Sequence, residues 1–80
     1  MRLDKYLKVS RIIKRRTVAN EACDAGKVTV NGKIARASYD VKVNDIINLQ
    51  MGPKLIKIQV TNVNEVTKKE NAANMYTVLS

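Results

Sequence analysis

The chain has 80 residues, 45% of them hydrophobic and 28% charged, with fifteen Lys and Arg against seven Asp and Glu, a net charge of +8 and a pI near 9.9. This length implies one domain, residues 1–80, with a thin core, because a chain of this size buries only about 60% of the surface that its unfolded form exposes. A lone cysteine, Cys23, excludes an internal disulfide framework, and no apolar run has signal-peptide or bilayer-spanning length, so a cytoplasmic protein is expected.

In chain order, Leu3, Tyr6 and Leu7 recur at helical spacing while Arg2, Lys5 and Lys8 fall on another side, which predicts a short amphipathic helix over about 3–9. Ser10 to Lys14 reads as a connection. Val18, Ala19, Ala22 and Ala25 predict a second helix over about 15–25, with Gly26 as its C-terminal cap. After Gly26 the period switches to alternation. Val28-Thr29-Val30 and Lys33-Ile34-Ala35 flank Asn31-Gly32, a pair that favours a type I′ hairpin turn. Ile47, Leu49 and Met51, then Ile56, Ile58 and Val60, alternate on either side of Gly52-Pro53 and predict a second hairpin. Lys68 to Met75 is a helix-friendly stretch around Ala72 and Ala73, and Tyr76 to Leu79 offers further apolar contact. The expected fold is α+β: two N-terminal helices packed on a small, mostly antiparallel sheet, ending in a short helix or tail.

Charge is concentrated at the front. Residues 1–36 carry ten Lys and Arg (Arg2, Lys5, Lys8, Arg11, Lys14, Arg15, Arg16, Lys27, Lys33 and Arg36) against Asp4, Glu21 and Asp24, a balance of +7 that leaves +1 for residues 37–80. A basic field of this kind steers polyanions inward and releases their counterions on contact, so this half is expected to carry the partner surface. Lys14-Arg15-Arg16 falls where the second helix begins. A helix N-terminus is the positive end of the macrodipole, so cations there cost a few tenths of a kcal/mol each. A phosphate would reverse that penalty by meeting both the side chains and the backbone N–H groups, and the arginine fork suits it bidentately. The plain alternative is a solvated basic run. Arg2, Lys5, Lys8 and Arg11 on the preceding segment favour nucleic-acid contact instead.

Arg2-Leu3-Asp4, a short helix, an Arg pair opening a second helix, Gly26 and Val28-Thr29-Val30-Asn31-Gly32-Lys33 together resemble the RNA-binding domain first recognised in small-subunit ribosomal protein four. The match runs over about residues 2–49, leaving 50–80 as a C-terminal extension. Two places depart from the usual pattern of that family. Val43-Asn44-Asp45 stands for Pro-Gly-Asp, a change that asparagine's tolerance of left-handed backbone allows, and Lys14 stands for a capping Ser. The tail from Thr67 to Tyr76 extends the likeness along the whole chain, to the small ribosome quality-control factors of Gram-positive bacteria that are related to the fifteen-kilodalton heat-shock protein. That resemblance implies binding to stalled large ribosomal subunits, with contacts to large-subunit RNA and peptidyl-tRNA, and support of RqcH-dependent alanine tailing. Carried over by residue, it makes Arg16 and Arg2 the principal RNA contacts. Lys5, Lys8, Arg11, Lys14, Arg15 and Lys33 complete the expected set. Leu3, Leu7, Val18 and Ala22 are expected in the core, and Asn31 and Gly32 in the turn rather than on RNA.

Only Tyr6, Tyr39 and Tyr76 could stack on a base, and Phe and Trp are absent, so shape and phosphate contacts in structured RNA are expected over single strands. Nothing in the sequence supplies catalysis. There is no His, no acid pair before a nucleophile, no phosphate-cradling glycine loop and no metal-ligand spacing. Cys23 among alanines reads as a small buried hydrophobe. The expectation is a non-enzyme and a monomer that needs no cofactor or metal. The alternative within RNA binding is a general structured-RNA binder, or a targeting subunit of an RNA-modifying or ribosome-assembly complex. A membrane-surface binder would want a wider, bulkier apolar face than the first helix has, and a duplex-DNA binder would use the same charge. On sequence grounds alone, Arg16→Ala should weaken large-subunit binding strongly with little change in melting temperature, and Lys68→Ala should do much less; sedimentation and thermal melts check this.

Overall fold

A computed structural model describes residues 1–63 and 75–79. Helix α1 spans Leu3–Val9 and α2 spans Arg16–Asp24. Among the described residues five strands follow: β1 (Val28–Val30), β2 (Lys33–Ile34), β3 (Ile46–Met51), β4 (Lys54–Val60) and β5 (Tyr76–Val78). They form one antiparallel sheet in the order β2-β1-β3-β4-β5. The α+β architecture and both hairpins are as expected. The stretch Lys68–Met75 lies outside the described residues except for Met75, and Tyr76–Val78, expected to add apolar contact, is a strand.

Alternation sets the register. Val28 pairs with Leu49, Val30 with Ile47, and Ile47 with Ile58, which puts these buried side chains on one face of the sheet. Helix α1 turns Leu3, Tyr6 and Leu7 into the same core, and α2 adds Ala19 and Cys23. Ile13, in the connection between the helices, is buried and anchors it through its N–H on the Leu7 carbonyl at 3.0 Å. Val18 departs from expectation. It is 43% exposed, because the helix turns Ala19 and Cys23 inward and Val18 sits to one side.

Local chemistry ends each element. Gly26, at φ 75°, closes α2: its N–H reaches the Cys23 carbonyl at 3.1 Å while the Lys27 N–H reaches Ala22 at 3.0 Å, the paired bonds of a Schellman motif. At the Asn31-Gly32 turn both residues have positive φ (53° and 83°), as a type I′ turn requires. Asn44 takes the left-handed conformation at φ 77°, so the turn does survive the loss of glycine there. The Asn31 side chain does more than permit a turn. It donates to Asp45 at 3.1 Å and accepts from the Ile46 N–H at 3.0 Å, while Tyr39 donates its hydroxyl proton to the other Asp45 oxygen at 2.8 Å. The β1–β2 turn is thereby tied to the loop that enters β3. The hydrogen bond to Asp45 and burial both push the Tyr39 phenol upward.

Edge strand β5 is held from beneath by Tyr6, whose buried hydroxyl donates to the Met75 carbonyl at 2.7 Å. Burial pushes this phenol well above its ordinary range. The Met75 carbonyl also accepts from Thr61 and Asn62, so it keeps partners if that hydroxyl is removed. Tyr6→Phe should therefore cost about 1 kcal/mol. For a domain of this size that is a fall of roughly 4–8 °C in melting temperature, with faster amide exchange in β5 than in β1 or β3; a thermal melt and hydrogen exchange read both.

Candidate nucleic-acid interface

Two segments place the basic side chains. Arg2 is the residue before α1, in extended conformation, and Lys5 and Lys8 sit on the helix itself, Lys5 half-buried and Lys8 exposed. The start of α1 has no side-chain cap; its N–H groups at Leu3 and Asp4 bond instead to the Tyr39 and Ala37 carbonyls at 2.8 and 3.2 Å. Arg11 takes φ 65° just past the helix, a left-handed turn that a residue other than glycine adopts only where the surroundings fix it. Here the Arg11 N–H on Lys8 and the Ile13 N–H on Leu7, both at 3.0 Å, hold the turn. Lys14 is exposed in the connection.

Arg15, in extended conformation, caps α2 by position but makes no side-chain cap bond, so the cap falls one residue beyond Lys14. Arg16 is the first residue of the helix proper. The first turn of α2 holds no acid and its last turn no base, against the preference of the helix dipole at both ends. The missing acid comes from the neighbouring helix. Asp4, 2% exposed, accepts from Arg16 Nε at 3.3 Å and Asn20 Nδ2 at 3.2 Å on one oxygen. Its other oxygen accepts from Arg2 Nε at 3.2 Å and the Lys5 N–H at 2.8 Å. Arg2 and Arg16 remain 52% and 46% exposed. Sequence reasoning pairs these two arginines by family likeness. It misses Asp4 and Asn20, which bring them together, because no local pattern links residue 4 to residue 20.

Lys33 is not part of this cluster. It stands on edge strand β2 and lines a recess of about 660 Å³ with Asn31, Arg36, Ser38 and Tyr39. A separate recess of about 340 Å³ is lined by Asp4, Arg16, Thr17, Asn20 and Glu21. Arg36, exposed beside Lys33, is not among the expected RNA residues although it belongs to the basic front of the chain. Tyr6 is wholly buried and cannot stack on a base. Cys23 is 2% exposed, and burial together with the negative field of Asp4 and Asp24 pushes its thiol up to about 11, which leaves it a core side chain and a poor nucleophile. Among the described residues no group of His, Cys, Asp or Glu could hold a metal, and no helix is long and apolar enough to cross a membrane.

A small α+β domain with a basic helical front is the class that this geometry defines. A family model, the S4 domain, matches residues 1–47, and the chain belongs to that family. It is similar to the RQC P-site tRNA stabilizing factor of Bacillus subtilis (strain 168), at 56% identity over 99% of this chain and 92% of the relative. The factor of the same name from Streptococcus pneumoniae is also 56% identical, over 100% of this chain and 91% of its own length. Among solved structures, the trimeric heat shock protein 15 of Vibrio cholerae superposes with a TM-score of 0.91 at 28% identity, covering 100% of this chain and 82% of that one.

The buried carboxylate makes stability depend on pH. Burial alone would raise the pKa of Asp4, but Asn20, Arg16 and the Lys5 N–H outweigh it and hold the carboxyl below its ordinary value of 3.8. A group with a depressed folded pKa contributes stability above its unfolded value and loses it as pH falls through the folded one. Asp40, paired with the N-terminal ammonium at 2.8 Å, is lowered too and acts in the same window. The wild type should therefore lose stability below about pH 4, and Asp4→Asn should flatten part of that acid limb while Asp40 retains its share; urea midpoints from pH 2 to 7 measure it. The Asp4 contact adds to the sequence-based expectation for Arg16→Ala, which should also cost up to about 1 kcal/mol of stability besides any loss of binding, read as a small fall in melting temperature.

Proposed function

We propose that this protein binds structured RNA through the face formed by α1, the connection and the start of α2, and that it serves ribosome quality control by holding peptidyl-tRNA on stalled large subunits. The observation that carries the reading is the pair of half-exposed guanidinium groups of Arg2 and Arg16, gathered on one buried carboxylate at a helix start whose own first turn has no acid. Lys5, Lys8, Arg11, Lys14 and Arg15 extend that face. Lys33 and Arg36 form a second basic edge along β2. Relatives at 56% identity named RQC P-site tRNA stabilizing factor support the assignment to quality control. The domain is 1–80, non-catalytic and cytoplasmic, and acts beside RqcH during alanine tailing. A single copy meets the RNA, in contrast to the trimer of the Vibrio cholerae relative.

Phosphate contacts dominate this mode of binding. Arginine forks meet phosphate oxygens bidentately and lysines add charge, while sequence-specific stacking has no aromatic platform to use. Affinity should accordingly fall with salt, and replacing Lys14 and Arg15 together by Ala should reduce the slope of log K against log salt by about 0.7–0.9 for each phosphate that is no longer neutralised. Sedimentation through a ribosome gradient gives the decisive comparison. Wild type should travel with large subunits that retain peptidyl-tRNA, and the Lys14→Ala, Arg15→Ala chain should shift toward the top. Equal sedimentation of the two would refute the reading, and equal competition by duplex DNA and by tRNA at fixed salt would favour a general polyanion binder.

A further inference from the structure

We infer that Asp4 is a positioning residue for the RNA interface: an acid placed among cations in order to set the spacing and direction of two guanidinium groups. The inference rests on the RNA-binding reading above and adds to it a residue whose charge is of the wrong sign for the ligand. Asp4 is buried, so its carboxylate is not itself a contact surface. Arg16 gives Asp4 its Nε, at 3.3 Å, which leaves its Nη groups for a phosphate. Arg2 gives its Nε at 3.2 Å and meets the carboxylate with Nη2 only at 3.5 Å, which leaves Nη1. Each side chain is thus fixed at the inner edge of its fork and open at the outer edge. The two arginines come from different elements, one before α1 and one opening α2, and Asp4 bonds to both.

Long side chains that are free in solution must be ordered when they bind, and holding them beforehand improves affinity by removing that requirement. Asn20 completes the anchor. It donates to the same Asp4 oxygen as Arg16, at 3.2 Å, and is itself half-buried and uncharged. Its place is to hold the carboxylate, not the RNA.

The sign of the effect separates this role from simple electrostatics. Replacing Asp4 by Asn raises the net charge from +8 to +9. On charge alone a more basic protein binds RNA more tightly. Without positioning it binds more weakly. The experiment is fluorescence anisotropy of a labelled RNA hairpin, and in parallel of tRNA, with the full chain at fixed salt and well below the melting temperature of each variant. Asp4→Asn should weaken binding about fivefold despite the added charge, with the salt slope unchanged because no cation has been removed. Asn20→Ala, which leaves the net charge alone and carries the test if Asp4→Asn folds poorly, should weaken it about twofold. In a double-mutant cycle Arg16→Ala should cost less in the Asp4→Asn background than in wild type, a coupling that a merely structural role would not produce.

Binding by Asp4→Asn equal to or tighter than wild type, unchanged binding by Asn20→Ala, or strictly additive losses in the cycle would overturn the inference. Arg2→Ala and Arg16→Ala serve as controls for the underlying reading. If they bind as wild type does, the RNA face is misassigned and the role of Asp4 falls with it. If they lose affinity while Asp4→Asn does not, the face stands and only the positioning role fails.

Discussion

A carboxylate taken out of water must be met by donors on nearly every lone pair, or its burial would cost more than the fold can supply. Asp4 meets this demand with Arg2, Arg16, Asn20 and the Lys5 N–H. Satisfying one buried acid therefore closes α1 against α2 and fixes how the front of the molecule presents its charge. Arg15 and Arg16 oppose the dipole of α2 at its start, and the acid that would normally lie in that first turn is contributed by the neighbouring helix. Packing and charge placement are one problem here, solved at one residue.

A second acid does similar work at the entry to β3. Asp45, 8% exposed, gathers Asn31, Tyr39 and the Lys42 N–H, so that the β1–β2 turn, the loop after it and the start of β3 are bound into a unit. Since that loop also offers its Ala37 and Tyr39 carbonyls to the start of α1, the sheet and the helical face are joined through backbone bonds as well as through the apolar core. The sheet is thereby tied to the segment that carries the cations. In a chain of 80 residues the core is thin, and polar networks at its margins add connections between elements.

Features that depend on neighbours in the chain are legible in the sequence. The helical spacing of Leu3, Tyr6 and Leu7, the switch to alternation after Gly26, the Asn31-Gly32 turn and the left-handed tolerance of Asn44 are each set by a few adjacent residues, and each stands in the structure where the pattern puts it. The concentration of cations in the first 36 residues is likewise a property of the sequence, and it points to the half of the molecule where Arg2 and Arg16 cluster. Val18 defeats the same reasoning because its spacing fits a helical face that α2 does not turn inward, a matter of helix rotation about its axis that periodicity over nine residues leaves open.

By itself, then, the sequence determined the two helices, the first four strands, their order, the hairpin turns and the sign of the surface, since backbone propensity, turn chemistry and net charge act over short range. Only the tertiary structure decided which charges work together. It brought Asp4 to Asn20 and Arg16, set Lys33 and Arg36 apart on the β2 edge, buried Tyr6 beneath Met75 and made a strand of Tyr76–Val78. Those pairings span the chain, and they form because burying a polar group obliges the fold to find it a partner wherever one can be placed.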